Sequence, residues 1–235
     1  MKKEKRMTPK LNEDIIYLDD IMGAKQSNTC WLADTETFVA NHYVVNLDKD
    51  VTEPHNYRDI TQLLMTMGEN DTATFYINTW GGDLMTTIML IDAIRNCVGQ
   101  TYGIVTLGSS AGSIIALALD DCETVTHGEF YIHPIQSYHS GDTFDQIKRL
   151  TLLDKKQRKL MEDIYADFLT QEEIEGLMSG TLPDLTLDDV ECNDRLENRR
   201  KIRQERFEKE QQEMREKAEQ ANKPKTKKEK IEKGV

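Results

Sequence analysis

Short apolar runs alternate with segments of helical spacing from about Ile15 to Val190, and this alternation predicts most of the elements. Tyr43-Val44-Val45-Asn46-Leu47 reads as a strand, and residues 57–68 carry Ile60, Leu63, Leu64 and Met67 at helical spacing. Thr74-Phe75-Tyr76-Ile77-Asn78 is a second strand, ending at Gly81-Gly82. Leu84, Ile88, Ile91 and Ile94 then recur as the buried stripe of a helix. Gly103-Ile104-Val105-Thr106-Leu107 is a third strand, which passes through the small-residue turn GSSAGS into an apolar helix, Ile114 to Leu119. Thr124-Val125-Thr126 and Phe130-Tyr131-Ile132 read as two further short strands. Strands and helices alternating at this spacing predict an α/β domain with a largely parallel sheet and flanking helices.

One long helix is expected from about Phe144 to Met178, with Ile147, Leu150, Leu153, Leu160, Ile164 and Phe168 on one side. Beyond it, residues 195–218 are nearly all charge and glutamine, which predicts a solvated helix held by i,i+4 ion pairs. A helix docking on a partner is the alternative. The expected organisation is a mobile arm over residues 1–12, a folded domain over 13–193, and a tail over 194–235 that is helical and then disordered after Lys223-Pro224.

Charge sharpens that division. The chain of 235 residues has a net charge of −12, yet residues 194–235 hold 15 Lys and Arg against 10 Asp and Glu. An acidic body therefore carries a basic tail, and an acidic body repels nucleic-acid phosphates. The four cysteines, Cys30, Cys97, Cys122 and Cys192, show no paired spacing, which predicts a reducing compartment and no disulfide scaffold. The basic N-terminus lacks the apolar core of a secretory signal, and no run approaches the ~18 apolar residues of a membrane span. A soluble, cytoplasmic protein is expected.

Three segments carry chemistry. Ile77-Asn78-Thr79-Trp80-Gly81-Gly82-Asp83 leads a strand through a diglycine into a helix, where main-chain N–H groups can approach a ligand closely. A tight turn that merely needs small residues is the plainer reading. Gly108-Ser109-Ser110-Ala111-Gly112-Ser113 puts serines at a strand-to-helix turn, suited either to a nucleophile or to helix capping. Phe130-Tyr131-Ile132-His133-Pro134 ends a strand with a histidine, which is either packed or a base. A Ser and a His at two strand ends can meet on one edge of a parallel sheet.

These residues resemble the ClpP-like serine peptidases, which include the proteolytic subunit of Clp protease and phage relatives. The family's I-N-S-P-G-G is similar to INTWGG (77–82), and its A-A-S-M-G-S-L-L-L-A-A to GSSAGSIIALA (108–118). Its I-M-I-H-Q-P is similar to YIHPI (131–135), while its glycine-led loop and handle helix resemble SGDTFDQI (140–147) and DIYADF (163–168). The resemblance covers about residues 13–192 and implies a ClpP/crotonase-type fold with a projecting handle helix. It places the nucleophile at Ser110, the base at His133, and the oxyanion hole at the main-chain N–H groups of Gly82 and Ala111.

The third member of the triad departs from the family. An aspartate there precedes Y-[ML]-[ST]-x-x-E-A, which aligns with DLTLDDV (184–190), so its position falls on Leu182 and the nearest carboxylate is Asp184. The third member is expected to be Asp184 after a small loop shift, with another group or no third member as the alternatives. The resemblance further implies polypeptide substrates, no metal or cofactor, and a heptameric ring, with an AAA+ unfoldase or phage capsid and scaffold proteins as partners. The degenerate motifs and charged tail resemble phage head-maturation proteases acting in the host cytoplasm more than a housekeeping subunit. Competing readings are an inactive assembly subunit, a serine–lysine peptidase using Lys148, Lys155 or Lys156, and a CoA-binding crotonase-type enzyme.

Overall fold

The computed structural model describes residues 40–136 and 142–222. Its elements are β1 (His42–Leu47), a 3₁₀ turn (Pro54–Tyr57), α1 (Arg58–Thr66), β2 (Thr72–Thr79), α2 (Leu84–Arg95), β3 (Gln100–Ser109) and α3 (Ala111–Ala118). They continue as β4 (Asp121–Ile132), α4 (Thr143–Tyr165), α5 (Gln171–Ser179), β5 (Leu185–Asp188) and α6 (Asp189–Asn222). The sheet order is β1-β2-β3-β4-β5, parallel through β4, with β5 antiparallel at the edge. This is the expected α/β fold with helices flanking a mostly parallel sheet. Phe75, Ile77, Val105, Phe130 and Ile132 are fully buried along the strands, and Ile115, Leu117 and Leu119 pack against them from α3 and the residue following it.

Two expected boundaries move. The short strands at 124–126 and 130–132 are one strand, β4, which crosses His127 at φ 64° while its register against β3 shifts between Val105 and Leu107. The exposed polar residues Thr126 and His127 hide that continuity in the sequence. The single helix expected over 144–178 is two. Thr170 Oγ accepts from Glu173 N–H (3.2 Å), and Glu173 Oε2 accepts from Thr170 N–H (2.8 Å). This reciprocal capping box starts α5 afresh.

The first half of α4 stands off the body. Gln157, Met161, Ile164 and Tyr165 are buried near its C-terminal end, whereas Phe144, Ile147, Leu150 and Leu152 are exposed. α6 passes residues 193 and 194 without a break. Cys192, Leu196 and Arg199 are buried under its early turns, and a row of arginines fastens it to the body. Arg195 pairs with Glu173 (2.7 and 2.8 Å) and Glu191 (2.7 Å) and donates to Phe168 C=O. Arg199 donates to Leu117 C=O, Arg200 to Asp121 and Cys122 C=O, Arg203 to Asp120 C=O, and Arg206 to Asp167. Among the described residues no helix is long and apolar enough to cross a membrane.

Candidate active site

β2, β3 and β4 end side by side, and each delivers one of the three segments to the carboxyl edge of the sheet, where ligands gather in open α/β folds. Their residues line one cleft of about 510 Å³ that includes Trp80, Gly82, Ser110, Ala111 and His133, with Tyr165 of α4 also in its wall.

Ser110 sits between β3 and α3 at φ 52°, ψ −115°, a conformation that costs a non-glycine residue strain. Main-chain bonds hold it there. Its N–H donates to Tyr131 C=O (2.7 Å), while its carbonyl accepts from the N–H groups of Ser113 (3.1 Å) and Ile114 (3.3 Å). The hydroxyl makes no capping bond and has no hydrogen-bond partner among the described residues. Ser113 differs. It is buried, and its hydroxyl bonds both Ser110 C=O (2.7 Å) and the Tyr165 phenol (2.6 Å). Ser109 is buried as well, so of the three serines Ser110 alone offers its oxygen to the cleft.

The diglycine packs against this turn. Gly81 has φ 98°, and a Cβ there would lie 2.6 Å from Ser110 Cβ and 2.8 Å from Ala111 N. Gly82 has φ 145° and bridges to Val51, whose carbonyl occupies the space a Cβ would need. Val51 N–H donates to Gly81 C=O and Asp83 N–H donates to Val51 C=O, each at 2.7 Å. In a bridge of that pattern the middle residue's own N–H points away from the partner strand. Gly82 N–H is thereby turned from Val51. Ala111 opens α3, and its N–H belongs to the helix's unpaired N-terminal set. Gly82 and Ala111 both line the cleft with Ser110.

His133 is half-buried just past β4. Its Nδ1 lies 2.7 Å from Pro134 C=O, and a carbonyl only accepts, so Nδ1 carries the hydrogen and the neutral ring leaves Nε2 as its acceptor. Its ring also meets that of Tyr131, with centroids 5.5 Å apart and planes tilted by 42°. His133 and Ser110 share the cleft without a direct hydrogen bond between them.

Asp184 is half-buried just before β5. The β4–β5 register runs Tyr131↔Thr186 and Ile132↔Leu185, and Asp184 and His133 are the residues next beyond that last pair. Burial, followed by the charge of Asp184 and its hydrogen bonding, raises the Tyr131 phenol above its ordinary range. Leu182, the position given by family spacing, packs against the core, and its N–H donates to Gly176 C=O (3.0 Å). It cannot orient an imidazole.

The other candidates stand apart. Lys148, Lys155 and Lys156 are exposed on α4 and do not line the cleft, and His127 is exposed on β4. His139, Cys30, the 1–12 arm and the segment from Lys223 lie outside the described residues. Sequence reasoning missed the Pro134 carbonyl and the Tyr131 ring as neighbours of His133. The signal for the latter was a tyrosine two residues before the histidine, hence on the same face of a strand. No cluster of metal-binding side chains occurs among the described residues.

A comparison with curated proteins finds no significant match. The Clp protease family profile matches residues 27–194, a span that includes all three strand-end segments and Asp184. The chain belongs to the Clp protease family, the ClpP-like peptidases.

Proposed function

We propose that the chain is a serine endopeptidase in which Ser110 attacks the peptide carbonyl and His133 takes its proton. The observation that carries this reading is the strained Ser110, with an unpartnered hydroxyl in the same cleft as a histidine whose Nε2 is free to accept. The N–H groups of Gly82 and Ala111 receive the oxyanion of the tetrahedral intermediate. Loss of the amine, protonated by His133, leaves an acyl-enzyme that water hydrolyses. Asp184 is the third member, stabilising the imidazolium. No cofactor enters these steps.

The substrates are polypeptides, and the working form is a ring-shaped homo-oligomer in which the exposed apolar residues Phe144, Ile147 and Leu150 of α4 meet other subunits. The degenerate motifs and the long charged α6 support a role in processing phage capsid and scaffold proteins, an assignment resting on family analogy. Incubation with a serine-reactive fluorophosphonate tests the chemistry. Labelling of the native chain, absent in Ser110→Ala and in His133→Ala, supports the hydrolase; a silent native chain leaves the inactive assembly subunit or the CoA-binding enzyme as the reading.

A further inference from the structure

We propose that Tyr131 is a positioning residue of this site, joining Asp184 to His133, so that the carboxylate acts on the imidazole through the tyrosine and not by a direct bond. The inference rests on the serine-peptidase reading and specifies how its third member works.

Three geometric facts carry it. First, Nδ1 of His133, the atom to which a triad aspartate would bond, is already occupied by Pro134 C=O at 2.7 Å. Second, Tyr131 pairs with Thr186 and Ile132 with Leu185, so His133 and Asp184 are the residues next beyond the last pair of the β4–β5 edge. Continued by one step, that register makes Asp184 the diagonal neighbour of Tyr131, and diagonal positions ~7–8 Å apart are within aromatic reach. Third, the Tyr131 and His133 rings are in contact at 5.5 Å. The tyrosine ring lies against His133, and the register carries it toward Asp184. Leu182, which would reach the imidazole in the family's spacing, is held in the core by its N–H bond to Gly176.

The chemistry follows. The phenol donates its hydrogen bond to the Asp184 carboxylate, which fixes the ring and increases its electron density. Proton transfer from Ser110 makes His133 cationic, and an electron-rich aromatic ring beside a cation attracts it. The negative charge of Asp184 is thus delivered to the imidazolium by way of the ring. No bond forms or breaks at Tyr131. Its elevated phenol pKa, due first to burial and then to Asp184, agrees with a phenol that stays protonated in this role.

The test is a double-mutant cycle of Tyr131→Phe and Asp184→Asn in the full chain, read in two ways. Fluorophosphonate labelling of Ser110 gives the rate constant. Ring-proton resonances of His133 in the unreacted protein report its position against Tyr131. Tyr131→Phe keeps the ring and its volume, removing only the hydroxyl. Each single variant is expected to slow labelling by about five- to thirtyfold, and the double variant to be no slower than the slower single one. Each is also expected to shift the His133 resonances, again without further change in the double. A loss of about 10⁴-fold in Asp184→Asn that persists in the Tyr131→Phe background would show direct action on His133 and overturn the proposal. So would His133 resonances that do not move in Asp184→Asn. A native chain that never labels overturns the peptidase reading alone, and the resonances then decide this one.

Discussion

Replacing Ser110 by glycine is expected to inactivate the protein while stabilising it. Ser110 holds φ 52° and ψ −115°, a region that costs a residue with a Cβ about 1–3 kcal/mol and glycine almost nothing. Glycine's extra freedom in the unfolded chain offsets about 0.5–1 kcal/mol of that relief. A net gain of about 1 kcal/mol remains. Ser110→Ala is the internal control, because it keeps the Cβ and its strain and removes a hydroxyl with no hydrogen-bond partner among the described residues. It should match the native chain within about 0.5 kcal/mol. For a body of this size 1 kcal/mol corresponds to ~2–4 °C in Tm, so Ser110→Gly should melt above Ser110→Ala by about that much. Thermal scans and urea titrations at matched subunit concentration measure it, the matching being needed because assembly itself shifts Tm. The urea slope should stay constant, reporting the same surface exposed on unfolding. If Ser110→Gly melts at or below Ser110→Ala, the turn stores no strain and the argument from its backbone fails.

Gly81→Ala should destabilise by about 2 kcal/mol or more and abolish labelling, since its Cβ would press within 2.6 Å of Ser110 Cβ at a φ of 98°; native-like labelling would contradict this. Hydrogen bonds from Arg195 and Thr170 hold Glu173 below the usual carboxylate range, so its contribution is present above the unfolded carboxylate pKa and lost as pH falls through the lower folded value. Melting curves across that acid window should show a loss that Glu173→Gln, already weakened at neutral pH, lacks. Burial raises the thiols of Cys122 and Cys192 to about 12 and about 11, leaving little thiolate at neutral pH. Mass spectrometry after iodoacetamide should find both unmodified in the folded chain and modified in urea; rapid native alkylation would show that α6 opens readily.

The turns bearing Ser110 and His133 were legible because each is local: an apolar strand ends, small or polar residues intervene, and a helix or loop begins. The helix break was written at Thr170 and Glu173, yet Leu160, Ile164 and Phe168 continue the apolar spacing toward it and masked the capping signal. Phe168 N–H and Leu169 N–H both donate to Tyr165 C=O as α4 ends, a geometry that no periodicity announces. Asp184 could be named as the nearest carboxylate, but its diagonal relation to Tyr131 needed the β4–β5 register, which is a long-range property. The arginines of α6 were read as a solvated face, because nothing in their own segment shows what they meet.

What they meet is main chain as well as carboxylates. Arg195, Arg199, Arg200 and Arg203 reach the carbonyls of Phe168, Leu117, Cys122 and Asp120. Every residue type supplies a carbonyl, so this part of the docking is blind to the identity of the side chains beneath it. Substitutions at those four positions can change the local packing and still leave the attachment points intact. Identity counts only at the carboxylates of Glu173, Asp121 and Asp167, which hold Arg195, Arg200 and Arg206, so a charge change in the body loosens α6 there and nowhere along the carbonyl contacts.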